Sequence, residues 1–88
     1  MIYGVYCIRD VKNGFTAPML DSNDETAVRN FETQVKNAEI NPTLFFNRPD
    51  FSLYKFGSFD TENGHYDLFE IPKILIEAAS VNISKDKE

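Results

Sequence analysis

Ser22-Asn23-Asp24-Glu25-Thr26-Ala27-Val28-Arg29-Asn30-Phe31-Glu32-Thr33-Gln34-Val35-Lys36-Asn37-Ala38 is the stretch that decides the fold class. Ala27, Val28, Phe31, Val35 and Ala38 fall on one stripe at helical spacing, and Arg29, Glu32, Thr33 and Lys36 fall on the opposite face. Ser22 and Glu25 fit a capping box, with Asn23 an alternative cap one residue on. Asp24 and Glu25 lie near the positive end of the helix dipole, and Glu32 and Lys36 form a favourable i,i+4 pair. The spacing predicts one helix over about residues 23–38.

On both sides of that helix the apolar period changes to two, the signature of strands. Residues 2–9 alternate, with Tyr3, Val5 and Cys7 on one face and Ile2, Tyr6 and Ile8 on the other. Asn13-Gly14 then suits a type I′ turn, which would set Lys12 opposite Phe15 in a hairpin. The second strand is short, because Pro18 cannot donate to a ladder. A third strand is expected over about 51–60, a turn at Thr61-Glu62-Asn63-Gly64 with Gly64 left-handed, and a fourth strand over about 65–70. After Pro72 a short helix through Ala79 and a further strand fit equally well. Residues 39–50, with Pro42, Asn47 and Pro49, read as a loop. The order β-β-α-β-β plus a short C-terminal element predicts an α+β domain, a small antiparallel sheet with one helix packed on a face. It should occupy residues 1–83 as a single domain, with 84–88 a frayed charged tail.

The 88 residues hold one core and carry a net charge of −5, one cysteine and one histidine. Cys7 has no partner for a disulfide, so a reducing cytoplasm is the expected compartment. A small core stabilised by neither disulfide nor metal favours a homo-oligomer. No signal-peptide pattern or membrane-length apolar run is visible, so no membrane partner is expected.

The inventory of chemistry argues against an enzyme and against a cofactor. His65 lies among Asp60, Glu62 and Asp67 around a turn, a grouping better read as solvated surface than as a metal site. Cys7 alternates inside an apolar strand, where a thiol stays protonated. No nucleophile elbow, phosphate-cradling glycine loop or paired-carboxylate motif occurs. Binding is the better reading. Eight phenylalanines and four tyrosines exceed what one helix and a small sheet need for a core. Tyr3, Tyr6, Tyr54 and Tyr66 fall in predicted strands, where rings on an open face can stack on unpaired bases. Arg9, Lys12, Arg48 and Lys55 lie on or near the same strands and could meet phosphates. The competing view makes the tyrosines ordinary sheet formers and the cations partners of nearby acids. Phe45 and Phe46, after Leu44, are either a plug for the core or an exposed partner contact.

Met1-Ile2-Tyr3-Gly4, Ile8-Arg9-Asp10, Gly14-Phe15 and Pro18 carry a family likeness. So do Asn23-Asp24, Ala27, Arg29-Asn30-Phe31, Pro49-Asp50-Phe51, Leu53-Tyr54, Gly57 and Phe59-Asp60. Over about residues 1–80 the chain resembles the small nonstructural protein of gokushovirus-type microviruses, bacteriophages with circular single-stranded DNA genomes. The resemblance implies an accessory role in viral DNA replication, with binding to DNA or the replication complex that favours single-stranded genome synthesis. Two functional expectations follow. The first is a single-stranded-DNA module, oligomeric, using Tyr3, Tyr6, Arg9, Lys12, Arg48, Tyr54 and Lys55. The second is an acidic regulator that docks on a viral initiator or host replication protein through Phe45 and Phe46. A DNA-mimicking inhibitor fits less well, because the carboxylates are spread without dense spacing.

Overall fold

Strand β1 (Ile2–Asp10) is the middle of the molecule, and its alternation sorts the rest. The computed structural model describes residues 1–82, so the expected tail at 84–88 lies outside the described residues. β1 pairs antiparallel along its length with β4 (Phe51–Asp60), which pairs antiparallel with β5 (His65–Glu77). Its other edge is covered by two short antiparallel strands laid end to end, β2 (Gly14–Phe15) and β3 (Met19–Asp21). Thr16-Ala17-Pro18 separates them, as expected of a proline without an N–H.

The first turn departs from the expected register. Arg9 faces Phe15 and Asp10 faces Gly14, whereas a type I′ turn would have set Lys12 opposite Phe15. The Asp10 carboxylate accepts from the Lys12 N–H (2.9 Å) and the Asn13 side-chain amide (2.8 Å). These bonds hold Asn13 at negative φ and leave Gly14 alone in the left-handed region, at φ +91°. The result is a three-residue loop closed by a glycine. At the second turn Gly64 is left-handed, as the sequence predicts.

Helix α1 (Asp24–Lys36) starts one residue later than a Ser22 cap would place it. The chain leaves β3 only at Asp21, so Asn23 becomes the cap, its Oδ1 accepting the Thr26 N–H at 2.8 Å. Ala27, Phe31 and Val35 are buried on the predicted stripe; Ala38 falls past the helix end, partly buried. Burial of Phe31 and Val35 stabilises this packing by about 1.5–3 kcal/mol each.

Two segments carry more structure than expected. Within 39–50, Asn41-Pro42 starts a short helix α2 (Pro42–Phe46), followed by a 3-10 turn at Arg48–Asp50. β5 continues through Pro72 to Glu77, which resolves the open choice after Pro72 in favour of a strand. The proline is tolerated because Phe69, Glu70, Ile71 and Pro72 together stand against Phe56, an excursion between the pairs Gly57–Leu68 and Lys55–Lys73. A 3-10 turn at Ala78–Ser80 ends the described fold.

The helix-side core unites Tyr6, Ile8 and Leu53 of the sheet with Ala27, Phe31 and Val35 of α1, Leu44 of α2, and Ala78 and Val81. Among the described residues no helix is long and apolar enough to cross a membrane.

Candidate functional site

With α1 and α2 on one face of the sheet, the opposite face is left to the other half of each strand's alternation. Tyr3, Val5, Cys7 and Arg9 of β1 lie there beside Tyr54, Phe56 and Phe59 of β4, by the pairings Tyr3–Phe59, Val5–Gly57 and Cys7–Tyr54. β5 adds Tyr66, Leu68 and Ile74. Val5 and Cys7 are buried and form the floor of a shallow groove of ≈ 280 Å³, walled by Phe15, Pro18, Phe56, Tyr66 and Leu68. Burial pushes the Cys7 thiol up from its ordinary pKa, away from nucleophilic chemistry.

The rings around that groove are ordered by one another. Phe15 meets Tyr54 edge-on at 5.4 Å and Phe56 at 5.0 Å, and Phe59 tilts against Tyr66 at 4.6 Å. Their outer surfaces stay open: Tyr66 is 60% exposed, Leu68 56% and Phe15 45%. Monomeric proteins seldom leave a contiguous apolar surface of more than a few hundred Å² without a binding role. Of the charged side chains, strand alternation puts Arg9 and Glu77 on this face, both toward one end of the sheet.

The candidate residues divide between the two sides of the sheet. Tyr3, Tyr54 and Arg9 come together on the open face, and Lys12 lies in the exposed turn that follows β1. Tyr6 and Lys55, expected at the same nucleic-acid contact, do not join them and lie on the helix side of the sheet. Tyr6 points into the helix-side core, 1% exposed, and its hydroxyl donates to Asp24 Oδ1 at 2.6 Å. Lys55 Nζ lies 2.8 Å from the same oxygen and 6.0 Å from the Tyr6 ring centre. Lys55 and Tyr6 hold the Asp24 carboxyl below its ordinary pKa, whereas burial and Asp24 push the Tyr6 hydroxyl up. This trio fastens the start of α1 to the sheet. The reason for the misplacement is parity: within β1, Tyr3 and Tyr6 lie an odd number of residues apart and so face opposite ways.

Arg48 is also apart, donating to the Phe45 carbonyl at 3.0 Å with its guanidinium 5.5 Å from the Phe45 ring centre. Leu44 is the plug of the α2 segment, at 1% exposure, and Phe46 is 71% exposed. Phe45 is half-buried and stacks edge-on with Phe46 at 5.0 Å.

Phe15, Phe56, Phe59 and Tyr66 complete the open face and were absent from the sequence-derived site. The i, i+2 rule applied to Tyr3 and Cys7 would have found Phe59 and Tyr66 once the strand pairing was known. Phe56 escapes that rule because the register shifts between the Val5–Gly57 and Tyr6–Lys55 pairs.

No curated protein and no solved structure matches the chain. The family model described as Phage ORF5 protein matches residues 3–81, from the first aromatic of the open face to the last core residue, Val81. The chain therefore belongs to the Phage ORF5 protein family.

Proposed function

We propose that this phage protein is a non-catalytic accessory factor of viral DNA replication that holds single-stranded DNA on its open sheet face. The observation that carries the reading is the uncovered aromatic surface of Tyr3, Phe15, Tyr54 and Tyr66 around the Val5–Cys7 groove. Base–aromatic stacking contributes about 1–3 kcal/mol per base and is indifferent to sequence, so a few rings suffice for weak binding by one copy. Arg9 and Lys12 would meet the phosphates at one end. Several copies in a homo-oligomer would join their faces into a longer track, and coating the displaced strand in the bacterial cytoplasm would favour single-stranded genome synthesis. The likeness to the gokushovirus nonstructural protein supports the same role.

The charge predicts how such binding responds to salt. Two cations per copy give a slope of roughly −1.4 in log K against log salt, far shallower than that of a basic phosphate binder. Fluorescence anisotropy with labelled oligo-dT and a matched duplex is the test. The expected result is preference for the single strand, loss of binding in Tyr66→Ala and Tyr54→Ala, and the shallow slope. No binding at about 50 mM salt, where phosphate contacts are strong, would overturn the proposal.

A second reading has its own observation, the solvent-facing ring of Phe46, stacked edge-on with Phe45. In this reading the acidic surface docks on the viral initiator or a host replication protein through Phe45 and Phe46. Pull-down from infected cells should then recover a partner that survives nuclease and is lost in Phe46→Ser. Disappearance of every partner with nuclease refutes it.

A further inference from the structure

On the helix side, between α1 and the edge strand β3, lies a second cleft of ≈ 250 Å³. Tyr6, Ile8 and Leu53 floor it, Ala27 and Phe31 form the helix wall, and Met19 and Leu20 form the lip. Floor and wall are core residues, at most 7% exposed, whereas Met19 and Leu20 are 40% and 45% exposed. The slot exists because Ala27 is small and β3 is only three residues long. β3 pairs with β1 alone, so its outer edge has no strand partner among the described residues. Alternate N–H and C=O groups of that edge point outward. Above the slot, the Asn30 side-chain nitrogen donates to Asp21 at 2.8 Å and Gln34 Oε1 accepts from Asn41 at 3.1 Å. Among the described residues Asn30 Oδ1 and Gln34 Nε2 have no hydrogen-bond partner and can serve an incoming main chain. A free strand edge beside an apolar slot is the geometry of strand addition, in which main-chain bonds give affinity and alternate side chains give specificity.

We propose that this cleft receives an extended segment of a partner protein, added as a strand along β3, with one apolar side chain in the slot and lysine or arginine flanking it. Charge selects the occupant. Asp21 lines the cleft, Glu25 follows at the start of α1, and no Lys or Arg is among the lining residues. A nucleic acid is repelled there. The site is separate from the aromatic face and does not depend on DNA binding.

The test uses the full chain and three synthetic probes. These are Lys-Val-Lys-Leu-Lys-Val-Lys, its glutamate counterpart, and the shuffled Lys-Lys-Val-Leu-Val-Lys-Lys of identical composition. The alternating lysine peptide should bind at least about tenfold tighter than either control by calorimetry. It should also shift the amide resonances of Met19, Leu20 and Asp21 and the side-chain amides of Asn30 and Gln34. Ala27→Leu fills the slot, and Asn30→Lys puts a cation on its exposed rim without touching the core. Each should weaken the peptide by about tenfold or more while oligo-dT binding stays unchanged. Equal affinity for the shuffled peptide, wild-type affinity in both variants, or amide shifts confined to the open face would overturn the proposal.

Discussion

Gly57→Ala is the substitution that most directly tests how the sheet is assembled. Gly57 sits in β4 at φ +148°, a conformation that side-chain-bearing residues rarely adopt. An added Cβ would also overlap the Asp67 carbonyl oxygen and approach the Leu68 Cα at 2.7 Å, both backbone atoms of the paired strand. The conformational part costs about 1–3 kcal/mol. The overlap cannot be relieved by a side-chain rotation, so β5 must move, and each weakened strand bond adds about 1 kcal/mol. The combined loss is roughly 3–5 kcal/mol, in a domain whose total stability is on the order of 4–13 kcal/mol. Gly14→Ala is the internal control: it too has positive φ, +91°, yet nothing lies within 4 Å of the added carbon. Its cost should stay near the conformational share, about 1–2 kcal/mol. Urea unfolding followed by far-ultraviolet circular dichroism gives both values, with the Gly57→Ala midpoint falling by roughly 3–5 M for an m-value near 1 kcal/mol/M. If Gly57→Ala costs no more than Gly14→Ala, the close approach of β4 and β5 at this pair is wrong.

The Tyr6–Asp24–Lys55 trio predicts a dependence on acid. Asp24 is held below its ordinary value by Lys55 first and Tyr6 second, so its contribution is complete above the unfolded carboxyl value of about 3.9. It is lost as pH falls through the lower folded value, and thermal midpoints between pH 5 and 2 should show Asp24→Asn removing part of that acid-side decline. Tyr6→Phe deletes a bond to a charged group and should cost near the lower end of about 1.5–3 kcal/mol, since Asp24 is half exposed. In the α2 segment, Leu44→Ala should cost about 2–5 kcal/mol as a core truncation, and Phe46→Ser should stay within about 0.5 kcal/mol. Equal urea midpoints for these two would invert the assignment of plug and contact.

What could be read in the sequence was whatever depends on near neighbours. The stripe of Ala27, Phe31 and Val35, the strand at 51–60 and the left-handed Gly64 are local, and each lies where spacing places it. The first turn failed although Asn-Gly is a strong local signal, because Asp10 captures two donors across the loop and fixes a different geometry. β5 could not be followed past residue 70, because a proline in a strand needs an excursion such as Phe69–Pro72, and only pairing with β4 reveals one. The site was half legible for the same reason. Residue type marked tyrosine and arginine in strands, but which face α1 covers is set by tertiary packing, and that puts Tyr6 in the core and Lys55 beside it, paired with Asp24.

The same parity changes what the acidity means. A net charge of −5 averages over the whole surface, whereas a ligand meets one face of it. Asp21, Asp24, Glu25 and Glu32 belong to β3 and α1 on the helix side or its edge, Asp10 and Asp60 end β1 and β4, and Glu62 lies in the turn after β4. α1 and the open face are separated by the sheet, and helix and sheet layers stack about 10 Å apart, close to the Debye length of about 10 Å at 0.1 M salt. Repulsion from the helix-side carboxylates is thus reduced by salt where bases would stack, and stacking itself is not screened. On the proposed reading, an acidic chain holds an unpaired strand on its aromatic face while its carboxylate-rich edge selects a basic partner, and the two surfaces answer to opposite charges.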